Sequence, residues 1–292
     1  MNYQTLLAES AEKTGNIACM GLDPIVESLP VSSGNIRSDL NGFFQQLFRR
    51  MSLAGLVPAA FKPNLGYYQC LDHPRDEDFS GSSALADVLD MLESFFPGIP
   101  VILDSKRGDI ARSSMNYAKE AFEAWQGDAV TVAPYMGSDS VEPFIRFPEK
   151  GAYLLNRTSN PGGRDLQNLL VVKKDEKQHP LYREVASQIA AYNQKTGSVG
   201  AVVGATNLQE LEEIATFYHD QSVPLLIPGV GSQGGSASGV MTILKKAGYP
   251  VELARINSSS ALTHPWKNNP APEDWLDLCM KNLRSLLEET SL

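Results

Sequence analysis

The chain is poor in histidine, cysteine and basic charge, and each shortage closes off a class of chemistry. Its four histidines, His73, His179, His219 and His264, all stand apart from the places where polar residues gather. Histidine acid–base or triad catalysis is therefore not expected, and neither a G-x-S-x-G elbow nor an H-E-x-x-H pair occurs. Cys19, Cys70 and Cys279 are widely spaced and include no C-x-x-C. That spacing argues against a disulfide framework or a zinc site and for a reducing, cytoplasmic setting. A net charge of −9 argues against a general affinity for nucleic acid or anionic membrane, although a local basic pocket for a small anion remains compatible with it. No apolar run approaches the ~18–20 residues that span a bilayer, and the opening "MNYQTLLAESAEKTG" lacks the apolar core of a secretory signal. "NRT" at Asn156, "NSS" at Asn257 and "RGD" at Arg107 are taken as chance matches.

What is present is a repeating pattern. Short β-branched runs occur at 16–23, 58–64, 100–106, 129–135, 152–159, 200–206, 224–230 and 251–259. Amphipathic stretches lie between them, at Leu40 to Leu53, Ala84 to Phe95, Ala111 to Trp125, Leu181 to Tyr192, Leu208 to Phe217, Val240 to Ala247 and Trp275 to Leu287. Strands alternating with helices imply parallel pairing through crossovers. About eight such units in this length fit an α/β fold of the closed (β/α)₈ TIM barrel type, with a doubly wound open sheet as its competitor. No proline- or serine-rich linker divides the chain, so residues 1–292 are expected to form a single barrel domain. The segments 73–81 and 171–180 read as solvated loop insertions.

The barrel is favoured because polar residues recur at the C-terminal ends of the strands, where barrel active sites form. Side chains alternate along a strand, so Asp104 and Lys106 in "VILDSKRGDI" are expected to share an inward face. In "AFKPN" the same reasoning pairs Lys62 with Asn64, and "GLDP" brings Asp23 to the same height. Any one of these charges alone is the ordinary solvated cap of a strand end. Together they put alternating signs on one inward rim, which is costly unless the charges are mutually paired and is typical of sites with tuned pKa values. Late in the chain, "PGVGSQGGSASG" (228–239) spells G-x-G-x-x-G at Gly229, Gly231 and Gly234. Only one strand–helix unit follows, which leaves no room for a dinucleotide domain. No basic residue follows the glycines as in a Walker loop. The loops after strands seven and eight are instead the usual phosphate site of a barrel.

The "DSKRGDI" stretch resembles the D-x-K-R-x-D-I signature of the orotidine 5′-phosphate decarboxylase family, in its longer bacterial and protozoal branch. "GLDP", "FKPNLGYY", "TVAPYMG", "RTSNPGG", "VVGAT" and "PGVGSQGG" follow in that family's order over nearly the whole chain. The resemblance implies a cofactor-free and metal-free loss of CO₂ from orotidine monophosphate, giving UMP, with Lys106 protonating the carbanion left at C6. It implies a charged tetrad of Lys62, Asp104, Lys106 and Asp109. Asp23, Lys62 and Asn64 would orient substrate, and Ser159 would hold the pyrimidine. Pro228, Gln233 and Gly234 would belong to a loop closing over substrate and phosphate. The partners implied are orotidine 5′-monophosphate and a second copy of the chain, with no nucleic acid or membrane. In such a homodimer Asp109, Ile110 and Ser113 would serve the partner's site. The sequence departs from the family at one place: the phosphate-gripping arginine expected after the eighth strand is Ser260, and Arg255 lies five residues earlier. Two other readings remain at this level. One is a metal-dependent decarboxylase of keto-sugar phosphates with a related barrel; the other is a non-catalytic phosphosugar-binding protein.

Overall fold

The computed structural model describes residues 2–172, 178–231, 234–267 and 269–292. Eight parallel strands form in the expected places: β1 (Ala18–Leu22), β2 (Ala60–Pro63), β3 (Ile102–Arg107), β4 (Ala129–Val132), β5 (Gly151–Arg157), β6 (Val199–Val203), β7 (Leu225–Ile227) and β8 (Ala254–Ser258). Their lateral order is β2-β1-β8-β7-β6-β5-β4-β3. The open ends meet through parallel bridges Phe61↔Val101 and Asn64↔Asp104, and Phe61 N–H donates to Pro100 O at 3.0 Å. This closes a TIM barrel and excludes the open sheet.

Helices cover the outside: α1 (Tyr3–Thr14), α2 (Ile36–Leu53), α3 (Ser80–Phe95), α4 (Ala111–Lys119), α5 (Leu181–Thr196), α6 (Leu208–Tyr218), α7 (Ala237–Lys246) and α8 (Trp275–Glu289). Helix α2 begins four residues before the expected Leu40, because Asn35 caps it through Ser38 N–H and Ile36 packs against the core. The expected helix to Trp125 passes at Glu120–Ala124 into a π-helical turn. Between β4 and β5 the crossover is made only of short turns such as Ser138–Val141. The 171–180 insertion is in part an antiparallel ribbon, Leu170–Val172 with Gln178–Pro180, in place of a plain loop.

Helix α1 was not foreseen, although Tyr3, Leu7 and Ala11 lie at i, i+4 and i+8 and are buried. It seals the barrel floor. Arg255 at the start of β8 is fully buried, and its guanidinium donates to Leu7 O at 2.6 Å, Ala59 O at 3.2 Å, Glu252 O at 3.0 Å and Ala254 O at 2.7 Å. These carbonyls take four of its five N–H donors, so the arginine serves the floor and stands at the opposite end of the strand from the mouth. On the β1–β2 side, Phe61 points outward against Phe48 and Phe96. That leaves Lys62, next in the strand, directed inward.

His264 stacks on Phe43 at 5.3 Å beside Trp266. Burial lowers its pKa from 6.5 to about 4. Below pH 6.5 the unfolded chain binds this proton and the folded chain does not, until about pH 4. Stability therefore falls as pH drops through that window, by up to about 3 kcal/mol from this group. Urea titrations at pH 7 and pH 4.5 should show the loss, and His264→Phe, which keeps the stacking, should flatten it.

Candidate active site

At the C-terminal ends of the strands a cavity of about 680 Å³ opens. Among the described residues its charged lining comprises Asp23, just after β1, Lys62 on β2, and Asp104 and Lys106 on β3. The Lys62 ammonium donates to Asp104 Oδ2 at 2.7 Å, and the Lys106 ammonium donates to Oδ1 at 2.5 Å. Burial alone would raise the Asp104 pKa, but the two ammonium groups hold it well below the usual carboxylate range. Lys62 is buried as well. Burial pulls its pKa down, and Asp104 and Asp23 outweigh that and push it above its ordinary value. Cys19 lies deeper on the same inner face, where burial pushes its thiol up to about 12 despite nearby Lys62, so it is an inert interior group.

Asp104 and Lys106 do meet inside the mouth, but not by regular strand alternation. The β3–β4 pairing runs Leu103↔Val130 and then Arg107↔Val132. Three residues, Asp104 to Lys106, thus face the single Thr131, and Lys106 adopts a left-handed backbone at φ 47°. A bulge of this kind re-aims a side chain. Thr131 is buried and lines the cavity. Sequence reasoning missed it, although a lone hydroxyl in "AVTVAPY" at an inward position was a usable signal.

Other expected residues divide between the cavity and its outer rim. Asn64, Ser159 and Pro228 line the cavity. Asn64 also caps the short helix Leu65–Gln69 by accepting from Gly66 N–H at 3.0 Å. Gly204 leaves room for Ser159: a Cβ there would lie 2.7 Å from Ser159 Cα. Asp109, Ile110 and Ser113 are not among the lining residues. Asp109 accepts from Ile110 N–H at 2.7 Å, and Ile110 is 48% exposed. Gly234, in a left-handed conformation at φ 88°, stands outside the lining and donates to Gly231 O at 3.0 Å. Gln233 lies outside the described residues.

The β8 end supplies residues that the sequence reading did not single out for this role. Asn257 and Ser259 line the cavity together with Ser260. Among the described residues neither Asn257 Oδ1 nor Asp23 Oδ1 has a hydrogen-bond partner, and both are buried, so each offers an acceptor to whatever enters. Gly21 makes space for Ser259, since a Cβ there would fall 1.8 Å from its Oγ. No arginine is among the lining residues. Arg157, at the end of β5, is committed to Glu210 at 2.8 Å and Gln167 at 3.0 Å. The burial of Asn156 and Asn257 removes both glycosylation matches from consideration.

Comparison with known proteins accords with this geometry. Residues 70–248, more than half of the chain, match the model of the orotidine 5′-phosphate decarboxylase / HUMPS family. The chain is 39% identical over 266 residues to the orotidine 5′-phosphate decarboxylase of Cupriavidus taiwanensis, covering 90% of each. The chain belongs to this family. The enzyme of the same name from Variovorax paradoxus is 38% identical over 287 residues, covering 98% of this chain and 96% of its own. In structure, Leishmania donovani OMP decarboxylase superposes with a TM-score of 0.74 at 29% identity, covering 99% of both chains. Leishmania donovani UMP synthase gives 0.75 at 31% identity, covering 98% of this chain and 56% of its own. The family match begins after Lys62 and ends before Asn257, so β1, β2 and β8 lie outside it, and closure of the barrel is what brings their ends to the cavity.

Proposed function

We propose that the chain decarboxylates orotidine 5′-monophosphate to UMP, with Lys106 as the proton donor. The observation that carries this reading is the Lys62–Asp104–Lys106 contact chain at the mouth of the cavity. Breaking the bond from C6 to the carboxylate releases CO₂ and leaves the electron pair on C6. An ammonium beside that carbon stabilises the developing charge and then delivers its proton, and the resulting neutral amine regains a proton from solvent. The chemistry draws on lysine and carboxylate alone. Asp104 accepts the Lys106 ammonium at 2.5 Å and so orients it, and it would crowd the departing carboxylate. Asp23 and Asn64 orient the ribose, and Ser159 holds the pyrimidine. Pro228, Gln233 and Gly234 belong to the loop that closes over the phosphate, whose binding energy away from C6 supports closure and orientation. At the β7–β8 end the Ser259 and Ser260 hydroxyls and the glycine-rich backbone are the groups on hand for that phosphate.

The working unit in this reading is a cytoplasmic homodimer with shared sites. Asp109, Ile110 and Ser113 stand outside the lining of their own cavity, and the adjoining β4 loop exposes Tyr135 at 81% and Met136 at 50%. Apolar side chains exposed beside charged ones suit a self-complementary interface.

The test is the loss of orotidine monophosphate absorbance on adding purified protein, with and without EDTA. Turnover indifferent to EDTA is expected. An EDTA-sensitive rate would favour the keto-sugar-phosphate type of site, and no turnover above background would leave only a binding role. Sharing of sites has its own check. Inactive Asp109→Ala and Lys106→Ala proteins, mixed under conditions of subunit exchange, should regain up to roughly a quarter of wild-type activity, because hybrid dimers carry one intact site. No recovery despite demonstrated exchange would rule against sharing.

A further inference from the structure

From the geometry of the β3 bulge we propose that Thr131 is a positioning residue for Lys106, acting through a closed ring of hydrogen bonds. The inference rests on the function proposed above and concerns a side chain to which that function gives no role. Thr131 Oγ1 accepts from Ser105 N–H at 3.1 Å and from Lys106 N–H at 3.0 Å. A hydroxyl has two acceptor positions and one hydrogen. With both acceptor positions filled by backbone donors, its own hydrogen is directed to Asp104 Oδ1, 2.9 Å away. That same oxygen receives the Lys106 ammonium at 2.5 Å. The ring runs from the Lys106 amide to the Thr131 hydroxyl, on to Asp104, and back to Lys106 through its ammonium.

Two further features make this hydroxyl more than a filler. The bulge withdraws Ser105 and Lys106 from the β3–β4 ladder, and Thr131 supplies the acceptor that a backbone carbonyl gives elsewhere. Buried amides left without such a partner are unfavourable. Lys106 also holds φ 47° without being glycine, a conformation that persists only where the surroundings impose it. Its side chain is 49% exposed, so packing does not fix it. It is held at its two ends, and both holds pass through the Thr131 hydroxyl or the oxygen to which that hydroxyl donates.

Thr131→Val keeps the shape and removes the hydroxyl; Thr131→Ser keeps the hydroxyl. In steady-state assays with orotidine monophosphate, Thr131→Val should lower kcat by roughly 30-fold or more with KM changed less than about threefold, since the loss falls on the proton-donating step. Thr131→Ser should stay within about threefold of wild type in both constants. If Thr131→Val does not fold, Thr131→Ala takes its place under the same criteria. The inference is overturned if the hydroxyl-free variant keeps more than about a third of wild-type kcat, or if Thr131→Ser falls as far as it does. A crystal structure of the hydroxyl-free variant gives a readout independent of turnover. Lys106 should leave the left-handed region, or its ammonium should move beyond about 3.5 Å from Asp104; unchanged geometry would overturn the ring. Wild type without turnover would count against the proposed function, whereas active wild type with an equally active Thr131→Val counts against Thr131 alone.

Discussion

Lys106→Ala is expected to abolish decarboxylation while leaving the barrel folded. The substitution removes the proton donor and the positive charge beside the carbon that becomes a carbanion, so kcat should drop by roughly 10³-fold or more. Stability should hardly move. The Lys106 side chain is 49% exposed, and ion pairs at such sites contribute at most about 1 kcal/mol. The left-handed backbone sharpens the test. Lys106→Gly relieves the strain of φ 47°, so it should be equally inactive but about 1 kcal/mol more stable than Lys106→Ala. Urea unfolding and turnover of the three proteins check both halves. A wild-type rate in Lys106→Ala would remove Lys106 as the donor. Equal stability of Ala and Gly would mean that the strain is offset elsewhere.

That strain also marks the limit of what could be read from the sequence. The eight strands were legible because each is a short apolar run, most of them set between longer amphipathic stretches. Lys62 and Asp23 were legible because simple alternation turns Lys62 inward at the end of β2 and brings Asp23 to the same height. Lys106 was placed in the right cavity for an incomplete reason: its direction comes from a bulge and a left-handed residue, and neither leaves a period-2 signature. The inward hydroxyl of Thr131 was visible in "AVTVAPY" and was passed over, but its role as the cap of a bulge follows only once the bulge is known. In the sequence Asn257 stands out only as a chance glycosylation match and Ser259 not at all, yet the register Cys19↔Asn257 makes them neighbours of the β1 end. Proximity between the first strand and the last follows from barrel closure, which no local stretch encodes. Helix α1 was the one large element whose spacing was available and unused. The ribbon of Leu170–Val172 with Gln178–Pro180 belongs to an insertion whose polar composition resembles a loop.

Asp104→Ala should damage both activity and stability, and the two losses can be separated. Asp104 carries the contacts of both lysines, and only one of these can escape to water. Lys106 is half exposed, whereas the Lys62 side chain is 5% exposed and would keep a buried charge with Asp23 as its remaining carboxylate neighbour. Removing one partner of a buried pair costs about 3–5 kcal/mol, because the other charge stays desolvated. In the wild type the Lys62 pKa is raised, so its contribution is present at neutral pH and fades only above about pH 10, as pH climbs toward the folded-state value. In Asp104→Ala burial would dominate and push that pKa below the unfolded value. The folded variant then binds fewer protons than the unfolded chain between those two values, and its stability rises with pH across that interval. Unfolding at pH 7 and pH 9.5 should therefore show a gap between wild type and Asp104→Ala that narrows at the higher pH. The double variant Lys62→Met/Asp104→Leu replaces the buried pair by apolar side chains, a change that is often neutral or stabilising, and it should recover most of the lost stability. It should recover none of the activity, because Lys106 loses the carboxylate that aims it. A double variant as unstable as Asp104→Ala would show that the cost lies in packing. A double variant that regained turnover would show that Lys106 needs neither neighbour.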